Sequence, residues 1–414
     1  MDRLANTVRP YAWGSTTAIP QLLGTEPTGE PQAELWMGAH PGAPSRVERG
    51  SGPAALSEVI AADPARELGA AATARFGPRL PFLLKLLAAG SPLSLQVHPD
   101  LAQAKAAFAD EEDRGVPIGA PHRNYKDANH KPELICALTP FDGLCGFRRE
   151  EEAAELLAAL EVDSLKPYVD ILHARPEKDA LREVLTAVLT ADQAAMAESV
   201  EQAAAAAERL AAVEGPHQHA YAAYAAIARH YPGDPGVIAA MLLNYIQLQP
   251  GEALFLGAGV PHAYLGGLGV EIMANSDNVL RCGLTPKHVD VPELLRIVRF
   301  EPTAPDVLRP EAVDGEETYE TPIDEFRLSR YALAGGAAPR RIPSGTPQIL
   351  LCTAGTALLR ARPGSGSGEG GSGGGGSREG AELPLTQGES AFVAADEEVE
   401  LTGEGTVFRA TVVV

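Results

Sequence analysis

Four residues of the chain carry donor atoms that suit a borderline divalent cation: Gln96, His98, Glu133 and His262. Gln96 and His98 lie in Leu95-Gln96-Val97-His98-Pro99-Asp100. On a strand, residues two apart face the same way, so this segment sets an amide oxygen beside an imidazole. Taken alone, a histidine near a strand end more often serves a hydrogen bond than a metal. Glu133 follows Asn129-His130-Lys131-Pro132 and opens the apolar run Leu134-Ile135-Cys136-Ala137. A carboxylate at the edge of such a run needs a cation or a charged neighbour such as Lys131. His262 follows Gly259-Val260-Pro261 and precedes an apolar stretch; alone it reads as a turn histidine. Together, two imidazoles, one carboxylate and one amide oxygen suit a metal site with a position open to substrate. A single zinc ion is the first choice. Iron and manganese stay open, because two histidines and a carboxylate also suit non-haem iron.

The elements that must hold these residues can be sketched from pattern. Residues 1–147 are rich in Pro, Gly and short apolar runs such as Leu80 to Leu87 and Leu93 to Val97, which predict strands. Helix is expected in Ala54 to Ala72 and around Leu101 to Ala109. Residues 148–235 change character: they are rich in Ala, Leu and Glu with apolar residues at three and four spacings, which predicts a helical domain. Its expected role is scaffold or lid. Strand signals return over 236–320 and again over 321–414. The last segment carries a Gly/Ser-rich stretch at 364–377, expected to be a flexible loop. A short repeat links the two strand-rich parts: Leu248 to Ala258 reads LQPGEALFLGA and Leu385 to Ala395 reads LTQGESAFVAA. This pattern resembles a hairpin of cupin-type jelly rolls. The first copy leads to Pro261-His262; the second leads to Asp396-Glu397-Glu398 and offers no histidine.

Composition narrows the partners. With 55 acidic and 34 basic residues the chain carries a net charge of -21, which repels nucleic acid and anionic lipid. An anionic small substrate would need a local basic pocket within this field. The 414 residues, 45% of them hydrophobic, suffice for more than one domain. The four cysteines form no Cys-x-x-Cys pair and read as buried free thiols in a reducing cytosol. No signal peptide or membrane span is expected, so a cytoplasmic location follows. There is no Walker pattern, and Gly257, Gly259, Gly266, Gly267 and Gly269 lack the dinucleotide spacing.

Several segments, in order, are similar to those of type I phosphomannose isomerases. They are YAWGS from Tyr11, ELWMGAHPGAPS from Glu34, LLKLLAAGSPLS from Leu83, LSLQVHPD, NHKPE, GVPHAYL and DNVLRCGLTPKHVD. The resemblance spans almost the whole chain, and the ordered set is highly specific. It implies a pair of cupin-like jelly-roll β domains plus an α-helical insert, a monomer, and zinc held by Gln96, His98, Glu133 and His262. It implies substrate-facing roles for Lys85, Ser94, Lys131, Glu271, Arg281 and Lys287, with Trp13 and Tyr264 near the pocket. The implied reaction interconverts mannose 6-phosphate and fructose 6-phosphate through a cis-enediol; a place in GDP-mannose biosynthesis or mannose catabolism is the family's expectation.

Elementary chemistry assigns the roles. Charge developing on the C1 and C2 oxygens calls for a cation and for a planar, permanently charged group, which Arg281 supplies. Lys85 interrupts the apolar run Phe82 to Leu87, where a charge needs a purpose; with Ser94 it is a candidate for the phosphate. The proton carrier stays open between Glu271, Lys131 and a water on the metal. Two alternatives share the ligand pattern: an iron-dependent cupin oxygenase and a non-catalytic sugar-phosphate-binding protein. The first leaves Lys85, Ser94, Arg281 and Lys287 without a purpose; the second fits poorly with four intact ligand positions.

Overall fold

The computed structural model describes residues 1–49, 52–362 and 380–414, and it divides into two compact units. The Gly/Ser stretch 364–377 lies outside the described residues. The first unit comprises Met1–Ala88, Val270–Asn275 and Leu308–Val414; the second comprises Ala89–Gly269 and Ser276–Val307.

The second unit is part sheet, part helical. Its helices include Glu150–Ala158, Lys166–Ala174, Glu177–Thr190, Gln193–Ala211 and Gln218–His230. Gln193–Ala211 shows why this sequence is helical. Asp192 caps its start by accepting from the Ala195 amide at 3.0 Å, and Met196, Val200, Ala203 and Ala207 form one buried stripe at four- and three-residue spacing. A further helix, Gly236–Met241, precedes the strands, where sequence reading expects strand signals. All six of its residues are buried. A short, wholly apolar run has no face to mark it as helix or strand, so periodicity is silent there.

The strands of this unit are antiparallel. Phe141–Phe147 pairs with Leu243–Leu248 and with the start of His262–Ala274. Gln96–Val97 lies between the start of His262–Ala274 and Leu280–Arg281. The strand Gln96–Val97 is only two residues long. Pro99 has no N–H to donate, so the ladder loses a donor just past Val97.

In the first unit, Thr7–Arg9, Glu34–Gly38 and Phe82–Ala89 pair in that order. A separate sheet contains Gln348–Ala361 and Val399–Thr411, paired over most of their lengths. Their backbones cross so closely that a Cβ on Gly405 would stand 1.9 Å from the Ala354 carbonyl oxygen, which restricts that position to glycine.

The repeat noted in sequence is the same turn built twice. Glu252 donates its amide to the Gln249 carbonyl at 2.9 Å, and its carboxylate accepts the Gln249 amide at 2.9 Å. Glu389 does both to Thr386, at 3.0 and 2.7 Å. Gly251 and Gly388 adopt φ of +90° and +85° just before each glutamate. The strands Ala253–Leu256 and Ser390–Val393 follow. Among the described residues no helix is long and apolar enough to cross a membrane. All four cysteines are free and buried.

Candidate metal centre

Register sets the site. His262 lies directly opposite Cys145 on one side and Gln96 on the other, and Gln96 lies opposite Arg281. Directly opposed residues in antiparallel strands share a face, so His262, Gln96 and Arg281 stand in a row. His98 enters beside them: its carbonyl accepts the Gly259 amide at 2.9 Å, tying it to the turn that leads into His262. Gly259 has φ +77°, and a Cβ there would stand 2.7 Å from Arg299 Cγ and 3.0 Å from the Ile297 carbonyl oxygen. Only glycine fits that turn.

Both imidazoles are oriented by backbone. His98 Nδ1 is 2.8 Å from the Asn278 carbonyl, and His262 Nδ1 is 2.9 Å from the Val260 carbonyl. A carbonyl only accepts, so each Nδ1 carries a proton, and in a neutral ring Nε2 then presents a lone pair. The two Nε2 atoms lie 3.3 and 3.4 Å from Glu133 Oε2. Both are buried and have no hydrogen-bond partner. The ligand atoms of His98, Glu133 and His262 all fall within 4.8 Å of one another, and this is the one such group among the described residues. Buried lone pairs aimed at one point without a proton between them fit a cation.

Lys131 sets the electrostatics. Its Nζ is 2.6 Å from Glu133 Oε1, with side-chain exposures of 10% and 3%. Burial pushes the Glu133 carboxyl up, but Lys131 and then the two histidines outweigh it and hold the group well below the usual carboxylate range. Burial, reinforced by Lys131, pushes the His98 imidazole down to about 4 against the pull of Glu133. At neutral pH the carboxylate is therefore charged and the His98 ring neutral, which are the forms that bind metal.

The remaining expected residues are placed as follows. Tyr264 is buried, its ring 6.2 Å from that of His262 and edge-on to Phe141 at 5.3 Å. Arg281 is half-buried and Lys287 is exposed; partial desolvation pushes both down in pKa, and Arg281 adds to the effect on Lys287. A lysine whose charge a neighbouring arginine disfavours suits an anion. Ser94 is half-buried, two residues before Gln96. In the first unit Lys85 is buried at 2.7 Å from Glu271 and 3.4 Å from Glu34, with Nζ 5.5 Å from the Trp36 ring centre. Trp36 lies opposite Lys85 in register and donates to Glu34 at 2.7 Å. Trp13 stacks on Tyr11 at 5.7 Å. Sequence reasoning named Lys85 and Glu271 but missed Glu34 and Trp36. The signal was the two-residue spacing Glu34/Trp36 on a strand, which sets both on the face that meets Lys85.

A buried His-Glu-His group, backed by a lysine and set on antiparallel strands, is the arrangement of a metal-dependent enzyme. The family description phosphomannose isomerase type I, catalytic domain, matches residues 1–150. The chain is 40% identical to the mannose-6-phosphate isomerase of Escherichia coli (strain K12) over 414 residues, covering 99% of each. It is 33% identical to that of Bos taurus, covering 96% of this chain and 94% of the relative. A crystal structure of a mutant phosphomannose isomerase from Salmonella typhimurium superposes with a TM-score of 0.88 at 38% identity over 100% of both chains. A zinc-bound mannose 6-phosphate isomerase superposes with a TM-score of 0.87 at 36% identity, covering 100% of this chain and 99% of the other. The chain belongs to the type I phosphomannose isomerase family.

Proposed function

We propose that the chain is a zinc-dependent aldose-ketose isomerase that interconverts mannose 6-phosphate and fructose 6-phosphate. The observation that carries this reading is the buried His98-Glu133-His262 group with its two unpartnered Nε2 atoms. It stands in a chain whose relatives over nearly full length are mannose-6-phosphate isomerases. Gln96, His98, Glu133 and His262 would hold the zinc. When bound, the zinc supplies Lewis-acid stabilisation of negative charge on the sugar oxygens.

The chain's own groups account for the rest. The reaction moves a proton between C1 and C2 through a cis-enediol. Arg281, in the row of His262 and Gln96, keeps its charge at any working pH and stabilises the developing oxyanion. Lys131, already beside the ligand set, is the candidate to move the proton or hold a sugar hydroxyl. Arg281 and Lys287 form the local cationic patch that a phosphate requires in this acidic chain, with the Ser94 hydroxyl as a further donor. For the buried Lys85–Glu271 pair a substrate-facing role, with Glu271 as a further candidate proton carrier, rests on the family resemblance alone.

The test is a coupled assay of mannose 6-phosphate turnover by the zinc-loaded chain, with Glu133→Gln as control. Turnover that the substitution abolishes supports the reading. Folded, zinc-loaded protein that leaves mannose 6-phosphate unchanged would sink the assigned reaction.

A further inference from the structure

We propose that Asn278 is a positioning residue of the metal centre, whose side chain locks the segment carrying Lys131 and Glu133 to the backbone that orients His98. This rests on the metal-binding reading above. Asn278 is fully buried. Its Oδ1 accepts the backbone amides of Lys126 at 2.7 Å and Asp127 at 3.3 Å. Its Nδ2 donates to the backbone carbonyls of Asp127 at 2.7 Å and Asn129 at 2.8 Å. A carboxamide is the shortest side chain that can accept and donate twice from one plane, so the site is matched to asparagine.

The link is reciprocal. Asp127 Oδ2 accepts the amide of Asp277 at 2.8 Å, and Asp127 Oδ1 accepts that of Asn129 at 2.9 Å. Two loops distant in sequence thus read each other's backbone. The first of them runs on through Lys131 to Glu133. The second contributes, from Asn278 itself, the carbonyl that accepts the hydrogen bond of His98 Nδ1 at 2.8 Å. A displacement of Asn278 therefore moves the His98 ring and loosens the segment that leads to Glu133 together. Ligand geometry and tautomer are what such supporting contacts set, so the effect belongs in metal affinity.

The test compares Asn278→Asp and Asn278→Ala with the parent chain, each stripped of metal and titrated with zinc against a chromophoric chelator. Asn278→Asp keeps the shape and the accepting oxygen but turns a second oxygen onto the two carbonyls; it carries the test if the alanine variant does not fold. The expected result is a zinc Kd raised about 10- to 100-fold, with kcat at saturating zinc within a few fold of the parent. Zinc affinity within twofold of the parent in folded Asn278→Asp would overturn the proposal. So would a fall in kcat at saturating zinc with affinity unchanged. The readout is metal affinity, so it stands or falls apart from the isomerase activity of the parent.

Discussion

Lys131→Met is the perturbation that separates the electrostatics of the empty ligand set from those of the loaded one. In the absence of metal, Lys131 is the cation nearest Glu133, at 2.6 Å in a pair that is 10% and 3% exposed. Removing one partner of a buried pair costs about 3–5 kcal/mol, because the other charge is left uncompensated. Glu133 keeps the polar rings of His98 and His262 at 3.3 and 3.4 Å, so the lower end, about 3 kcal/mol, is expected. Zinc brings its own positive charge and removes most of the penalty. The assay is urea unfolding with chelator and with excess zinc, followed by the helical circular dichroism. A variant as stable as the parent in chelator would refute the reasoning, as would a penalty of equal size with zinc present.

Other outcomes follow from the same geometry. His98→Ala should abolish tight zinc binding and with it isomerase activity; retained binding in a competition titration would remove His98 from the ligand set. The metal-free chain should lose stability on acidification. His98 sits at about 4 in the folded chain against an ordinary value of 6.5, so the unfolded chain takes up the proton first; stability is complete above about pH 6.5 and falls by about 3 kcal/mol as pH drops to 4. Glu133, held low, adds to the loss in the same direction at lower pH. Chelated protein equally stable in urea at pH 7 and pH 4.5 would contradict this. Gly259→Ala forces a Cβ onto Arg299 and the Ile297 carbonyl at positive φ, so it should destabilise by about 1–3 kcal/mol and weaken zinc binding through His262; a melting scan and a zinc titration check both. Arg281→Lys should lower kcat while leaving zinc affinity within a few fold, because the residue lies in the ligand row but donates nothing to the metal.

The candidate group His98, Glu133 and His262 was legible because metal-ligating residue types can be recognised even when they are distant in sequence. Alone, His98 and His262 read as hydrogen-bonding or turn residues; the combination of two imidazoles, a carboxylate and an amide oxygen is what pointed to a metal. The two readings open for Glu133 from sequence, a salt bridge to Lys131 or a metal ligand, turn out compatible, since one oxygen meets the lysine and the other the histidines. The helices from Glu150 to His230 followed from composition and periodicity. Gly236–Met241 did not, because a buried six-residue helix has no polar face. Asn278 and Glu34 were illegible for a different reason. Their roles depend on which strands and loops become neighbours, and register between segments far apart in the chain is written in no local pattern. The doubled Gly-Glu turn was readable at both copies because glycine at positive φ followed by a capping glutamate is a local device.

The most direct measurement of the central claim is a zinc titration of the metal-stripped chain, with mannose 6-phosphate isomerisation and bound zinc followed in the same samples. The expected result is activity that rises with bound zinc and stops rising at one equivalent. Full activity in the stripped protein, or zinc bound at one equivalent with no isomerisation, would contradict it.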